Sequence, residues 1–139
     1  MSEVIYHEEC YAIMGACFEV YTDKGCGLLE PVYHECLQIE LRQRGIPAVS
    51  KPKLMLEYKG HPLKQSYEPD FICDQKIILE VKAVDKLTDE HRAQIINYLR
   101  ASKFKLGILV NFGHYPRLEW ERFANTAKDP SAPPRLLED

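Results

Sequence analysis

Two short apolar runs separated by a helical segment constrain the fold of this chain more than any other feature. Residues 77–81 and 106–110 are dominated by apolar side chains, which is typical of strands buried on both faces of a sheet. Between them, Thr88 is a good N-cap for a helix that reaches about Lys103, with acidic residues in its first turn. A strand, a helix and a strand of this combined length can form a crossover between parallel strands. The chain is therefore predicted to have an α/β fold.

Helical spacing of apolar residues predicts two further helices that precede these strands. The first covers residues 6–21, and a glycine-containing segment ends its pattern. The second covers about residues 28–44, with Pro31 in its first turn and Gly45 placed like a C-terminal cap.

Alternating apolar residues bounded by turn signals predict the remaining strands, at residues 53–58, 63–72 and, as an edge strand, 117–123. The predicted order is thus helix, helix, three strands, helix, strand. Residues 1–123 are predicted to form a single domain, and the proline-containing residues 124–139 a loose C-terminal tail.

Composition excludes several other classes of protein. The five cysteines are an odd number and include no Cys-x-x-Cys pair, which argues against a disulfide framework or a structural zinc site. The chain has no apolar run long enough to span a bilayer, and its first residues lack an apolar signal core. The expected location is the cytoplasm, with no membrane partner.

The charge is distributed unevenly along the chain. The net charge of −3 does not itself indicate nucleic-acid binding. Residues 1–41 contain eight acids and one base, whereas residues 42–105 contain thirteen Lys and Arg residues against eight acids. The basic excess fits either a solvated surface or a phosphate-binding face.

A pair of acids and a lysine are expected to meet on one face of the sheet. Glu80 and Lys82 are two residues apart on a strand and so share a face. If a three-residue turn precedes this strand, Cys73 pairs with Ile77 and Asp70 lies opposite Glu80, with Cβ atoms about 5 Å apart. Two carboxylates that close repel each other unless a cation lies between them, and oxygen ligands favour Mg²⁺ or Mn²⁺ over zinc. The alternative is a modest cross-strand cluster of charges on an exposed face.

Pro69-Asp70 followed by Glu80-Val81-Lys82 resembles the signature of the PD-(D/E)xK nuclease superfamily, which has the restriction-endonuclease-like fold. The implied core has the order α-β-β-β-α-β, a mixed sheet flanked by helices, here with an extra N-terminal helix. Residues 27–33 fit the Gly-x-x-Glu-x-x-Tyr pattern of a small bacterial family of this superfamily. Residues 94–98 fit the Gln-x-x-x-Tyr motif of its RecB-like branch, and the similarity covers roughly residues 6–113.

The resemblance implies a role for each residue that matches a motif. Lys82 would be catalytic together with Glu80 and Asp70, and Gln94 and Tyr98 would contact substrate. The metal, Mg²⁺ or Mn²⁺, would be held by Glu30, Asp70, Glu80 and the carbonyl of Val81. Other interpretations stay open for three of the candidates: a first-turn acid facing the helix dipole for Glu30, and core residues for Tyr33 and Tyr98. His91 is a candidate site histidine or else a surface histidine.

The implied function is metal-dependent hydrolysis of phosphodiester bonds in nucleic acid, with DNA as the expected substrate. The alternatives are a nucleic-acid-binding module without turnover or a subunit of a larger nuclease complex. As protein partners, a second copy of the chain in a homodimer and a larger complex both stay open. The chain departs from the smaller family at Val20-Tyr21, where Val-His is common, and at Gly25-Cys26-Gly27, where Gly-Pro-Gly is common. Because these positions are not the metal acids, they bear on specificity more than on the fold.

Overall fold

Three helices and eight strands follow one another in the part of the chain that the computed structural model describes, residues 5–125 and 135–137. The elements are α1 (His7–Lys24), α2 (Glu30–Gln43), β1 (Ala48–Ser50), β2 (Leu54–Tyr58), β3 (His61–Tyr67), β4 (Phe71–Cys73), β5 (Ile77–Lys82), α3 (Asp89–Ser102), β6 (Leu106–Asn111), β7 (Glu119–Ala124) and β8 (Arg135–Leu137).

Six strands form one mixed sheet in the order β1-β4-β5-β6-β7-β8. Strands β5 and β6 are parallel and are joined through α3, while the other neighbouring strands are antiparallel. The predicted register between β4 and β5 is confirmed, since Cys73 pairs with Ile77 and Phe71 with Leu79. This is the predicted α/β class, a mixed sheet flanked by helices.

Helices cover both faces of the sheet, and the sheet separates the core into two parts. On one face, α1 and α2 pack against the odd-numbered apolar residues of β5, including Leu79. On the other face, α3 packs Ile95 and Leu99 against Ile78. Strands β5 and β6 are buried on both faces, as their composition predicts. At Gly107 the helix approaches so closely that an added Cβ would lie 2.9 Å from Ile95.

The predicted strand at residues 63–72 is wrong, because the chain makes two strands there. Strand β3 pairs with β2 in a separate two-stranded sheet, whereas β4 lies in the main sheet. Pro69 lies between them, and its lack of an amide N–H prevents a continuous ladder. The hairpin of β2 and β3 packs against α3 through Leu54 and Leu56. The short strand β1 was not predicted and lies beside β4.

The C-terminal end of the described chain also differs from the prediction. Within the predicted tail, Ala124 belongs to β7 and Arg135–Leu137 forms β8, which pairs antiparallel with β7. Strand β7, predicted at residues 117–123 as an edge strand, therefore has a neighbour on both sides. The other residues of the predicted tail, 126–134 and 138–139, lie outside the described residues. Among the described helices, none is long and apolar enough to cross a membrane.

Candidate active site

Asp70 and Glu80 meet where the β4–β5 ladder ends. The backbone N–H of Asp70 donates to Oε1 of Glu80 over 2.8 Å, and the backbone N–H of Val81 donates to Oδ2 of Asp70, also over 2.8 Å. The two carboxylates thus extend the hydrogen bonding of the ladder by one step beyond the Phe71–Leu79 pair. The structure brings these two predicted site residues together.

The surroundings of Glu80 disfavour its charge. The residue is only 7% exposed. Burial first, and then the charge of Asp70, raise the pKa of Glu80 to about 7. The Asp70 N–H, the Tyr67 hydroxyl and the Lys82 ammonium oppose this rise. The two acids are therefore a repelling pair, in which Glu80 is buried and Asp70 half-buried.

Glu30 lies at the first position of α2 and belongs to the same electrostatic environment. Burial and the charge of Asp70 raise the pKa of Glu30, while Lys82, His34 and Lys51 oppose the rise. The helix-dipole interpretation remains compatible with this place, since Glu30 is in the first turn. Because the charges of Asp70 and Lys82 both affect its pKa, Glu30 lies near the acid pair, although its side chain is exposed.

The donor chemistry of these residues fits a hard divalent cation. All the donors are oxygen atoms. Burial first, and then the charge of Asp70, raise the pKa values of Glu30 and Glu80, and a cation would offset both effects by favouring the charged carboxylates. Within residues 5–125 and 135–137, no group of three or more His, Cys, Asp or Glu side chains is already arranged to hold a metal ion. The fit thus rests on donor type and charge.

The Gly-x-x-Glu-x-x-Tyr pattern has a structural explanation. Gly27 has a φ of 105°, a conformation that side chains with a Cβ rarely adopt. The buried Tyr33 hydroxyl donates to the carbonyl of Gly25 over 2.6 Å and accepts from the N–H of Leu28 over 3.1 Å. Tyr33 is thus a core residue that holds the loop before α2, and through this loop it positions Glu30.

Residues 111–113 fix the chain that follows β5. The buried Asn111 side chain accepts from the N–H of Val84 and donates to its carbonyl, both over 2.9 Å. An added Cβ at Gly113 would lie 2.5 Å from the backbone of Val84, so only glycine permits this close approach. Since Lys82 pairs with Asn111, these contacts also fix the end of the strand that carries the lysine.

Gln94 and Tyr98, on α3, occupy different environments. Gln94 is exposed, whereas Tyr98 is half-buried and stacks on Tyr67 with ring centroids 3.6 Å apart and planes 5° apart. The Tyr67 hydroxyl is buried beside Glu80 and makes no hydrogen bond of standard geometry there. Tyr98 therefore stacks on the residue that lies beside Glu80. It packs in the part of the core that contains Ile95 and Leu99.

The sequence analysis missed one residue that contacts the acid pair directly. Nδ1 of His34 lies 3.0 Å from Oδ1 of Asp70, and its Nε2 lies 2.7 Å from Oγ of Ser50. The spacing of four residues from Glu30 was the available signal, because it places both side chains on one face of α2.

The candidate histidine on α3 has a different position. His91 caps this helix: its Nδ1 accepts from the N–H of Thr88 over 3.1 Å, and its own N–H donates to the Thr88 hydroxyl. The two residues form a reciprocal capping box.

Comparison with known proteins agrees with the predicted fold and superfamily. The sequence model of the PD-(D/E)XK nuclease superfamily matches residues 7–123. The crystal structure of SSO0001 is similar in fold, with 20% sequence identity and a TM-score of 0.53. The alignment covers 84% of this chain and 56% of that one, so this chain spans little more than half of its length. Among curated proteins no match was found. Because the superfamily match extends from α1 to β7 and includes both acids and Lys82, the chain belongs to the PD-(D/E)XK nuclease superfamily.

Proposed function

We propose that the chain is a divalent-metal-dependent nuclease that hydrolyses phosphodiester bonds, with DNA as its substrate. The observation that carries the proposal is the mutually repelling pair of the half-buried Asp70 and the buried Glu80, with Lys82 at the end of β5. A pair of this kind is unfavourable without a cation and suits a site that binds one. Membership of a superfamily of nucleases supports the same conclusion.

The metal would be held by Asp70, Glu80, Glu30 and the carbonyl of Val81. A bound Mg²⁺ or Mn²⁺ supplies positive charge that polarises a phosphate and lowers the pKa of water. The protein's own contribution is to hold the two acids by each other's backbone, so that their orientation does not depend on the ion. The cation is therefore needed to neutralise the charge of the two acids more than to bring their side chains together.

Lys82 is the residue proposed to act on the reacting groups. It is half-buried and shares a face of β5 with Glu80. Its charge lowers the pKa values of both Glu80 and Glu30, so the ammonium group lies near both carboxylates. There it would donate hydrogen bonds to the attacking water or to a phosphoryl oxygen on which negative charge develops.

The surface beside the acids favours a polyanionic substrate. The segment between β1 and Asp70, which contains the hairpin, carries four exposed lysines: Lys51, Lys53, Lys59 and Lys64. Lys51 is close enough to Glu30 to lower the pKa of that carboxyl. Exposed lysines spaced along this segment can neutralise successive phosphates and release their counterions. Gln94, exposed on α3, and Tyr98 are the further proposed substrate contacts.

A second candidate function is nucleic-acid binding without turnover, or service as a subunit of a larger nuclease complex. One observation favours it: no set of three metal-binding side chains is preassembled among the described residues.

Cleavage assays with a charge-matched control test the first candidate. Supercoiled, linear and single-stranded DNA are incubated with the protein and Mg²⁺ or Mn²⁺. We expect cleavage that EDTA abolishes, that Lys82→Ala abolishes, and that Lys86→Ala leaves unchanged, since Lys86 is an exposed lysine beyond the end of β5. Equal cleavage by Lys82→Ala would contradict the proposal. Binding without cleavage that survives Asp70→Asn would favour the second candidate.

A further inference from the structure

His34, on α2, is packed between Ser50 of β1 and Asp70 of the acid pair. It is 8% exposed, and its ring stacks on Phe71 with centroids 4.3 Å apart and planes 14° apart. Both ring nitrogens have partners, Asp70 at Nδ1 and Ser50 at Nε2. The two contacts link α2 to β1 and to the residue just before β4.

The contact with His34 completes the restraint on the Asp70 carboxylate. Oδ2 accepts from the backbone N–H of Val81, and Oδ1 lies 3.0 Å from Nδ1 of His34. A carboxylate with one hydrogen bond can still rotate about its Cβ–Cγ bond, whereas two donors on different oxygens fix its plane. Each oxygen keeps a further lone pair that is available to a cation.

Ser50 makes this arrangement independent of how the imidazole is protonated. Facing a carboxylate, Nδ1 carries the hydrogen and donates it. The Ser50 hydroxyl can either donate to Nε2 or accept from it, so Nε2 is satisfied in either case. Ser50 is itself fixed, because it pairs with Phe71 in the ladder between β1 and β4.

We propose that His34, held by Ser50, is a positioning residue that presets the Asp70 carboxylate for a divalent cation. This inference rests on the proposed function, since it takes Asp70 as a metal ligand. Groups that orient metal ligands from behind contribute measurably to metal affinity even though they do not touch the ion. His34 would thus determine how tightly the site binds metal, and Lys82 how fast the loaded site reacts.

The competing explanation is that His34 only joins α2 to the sheet. Removal of a purely structural contact lowers the free energy of unfolding but leaves the metal affinity of the folded protein unchanged. Removal of a positioning contact weakens metal binding in protein that is still folded. Metal affinity, measured without nucleic acid, therefore distinguishes the two.

The experiment is calorimetric titration of the full chain with Mn²⁺ in the absence of nucleic acid. His34→Leu removes both ring contacts, and we expect Mn²⁺ affinity to fall by about 10- to 100-fold. His34→Asn keeps an N–H donor near the place of Nδ1 and should retain most of the affinity. Ser50→Ala should weaken binding by less than His34→Leu. His114→Asn is the matched control, because His114 is bound to the Arg117 carbonyl and is not in contact with the acids.

Cleavage assays with the same variants provide a second measurement. The Mn²⁺ concentration for half-maximal cleavage should rise in His34→Leu, while the rate at saturating Mn²⁺ should stay near that of the unaltered protein. Unchanged Mn²⁺ affinity in folded His34→Leu would overturn the inference, as would a lost rate that saturating Mn²⁺ does not restore. If His34→Leu does not fold, unchanged affinity in Ser50→Ala overturns it. Mn²⁺ binding by the unaltered protein without any cleavage would contradict the proposed nuclease function and leave the role of His34 standing.

Discussion

The backbone N–H of Asp70 donates a 2.8 Å hydrogen bond to the carboxylate of Glu80, so the segment that carries one acid holds the other in place. The return bond runs from the N–H of Val81, the neighbour of Glu80, to the carboxylate of Asp70. Each acid is thus oriented by the strand of its partner. This orientation brings two negative charges close together, which is unfavourable when no cation is bound.

Metal affinity should depend on pH through Glu80. Its pKa is raised to about 7 by burial and by Asp70, so below that pH the carboxyl holds a proton that a cation must displace. We expect the Mn²⁺ affinity to fall by about tenfold per pH unit below pH 7 and to level off above it. Calorimetric titrations between about pH 5.5 and 8.5 measure this dependence. An affinity that does not change with pH would show that Glu80 is not a ligand.

Glu80→Gln should stabilise the protein at alkaline pH when no metal is present. The pKa of Glu80 lies above its ordinary value of 4.5, so the folded chain binds the proton more tightly than the unfolded chain. Protonation of Glu80 therefore adds to the free energy of unfolding. This contribution is fully present below pH 4.5 and is lost as the pH rises towards 7. A rise from 4.5 to about 7 corresponds to at most about 3 kcal/mol.

Urea unfolding in EDTA at pH 5 and at pH 8 tests this expectation. Glu80→Gln should be more stable than the unaltered protein at pH 8, and the difference should shrink at pH 5. Glu35→Gln, on the exposed side of α2, is the matched control and should show no such pattern. If Glu80→Gln destabilises the protein equally at both pH values, its charge is not in conflict with Asp70.

Tyr33→Phe should lower stability although it leaves no cavity. The hydroxyl donates to the Gly25 carbonyl and accepts from the Leu28 N–H, so its removal leaves groups of the loop without partners. The expected loss is about 1–3 kcal/mol in the free energy of unfolding. Chemical denaturation measures it, with the exposed Tyr11→Phe as the control. A loss no larger than that of the control would mean that the loop is held by other contacts.

The lysines on and beside the hairpin should contribute to nucleic-acid affinity in a salt-dependent way. Lys53→Ala and Lys64→Ala should each weaken duplex binding, and each should reduce the slope of log affinity against log salt by about one. Fluorescence anisotropy with the Asp70→Asn protein measures binding without cleavage. Lys105→Ala is the control, because Lys105 precedes β6 at the opposite end of the strand from Lys82 and Asn111. Equal slopes for all variants would exclude the hairpin from the contact surface.

The elements that sequence predicted best are those with local signals. Strands β5 and β6 have continuous apolar composition, and α3 has a strong N-cap at Thr88. The register of β4 against β5 followed from the length of the turn between Cys73 and Ile77. These signals were enough to bring Asp70 and Glu80 together.

The features that sequence did not predict depend on contacts between distant residues. The break between β3 and β4 depends on two different pairing partners, although Pro69 marked the place. Strand β1 has three residues and gives no periodic signal of its own. His34 lies 36 residues before Asp70 in the chain, and no local pattern connects the two.

The hairpin leaves the main sheet and rejoins it at one point. Ser50, the last residue of β1, pairs directly with Phe71, the first residue of β4, and the N–H of Lys51 donates to the carbonyl of Asp70. A segment that closes on itself can be lengthened or shortened at its tip without shifting the register of the strands on either side. Tyr67, at the base of the hairpin, lies beside Glu80 and has to stay, whereas the turn at Lys59-Gly60 is at the other end of β3. This turn is therefore the place to graft a new recognition loop onto an unchanged core.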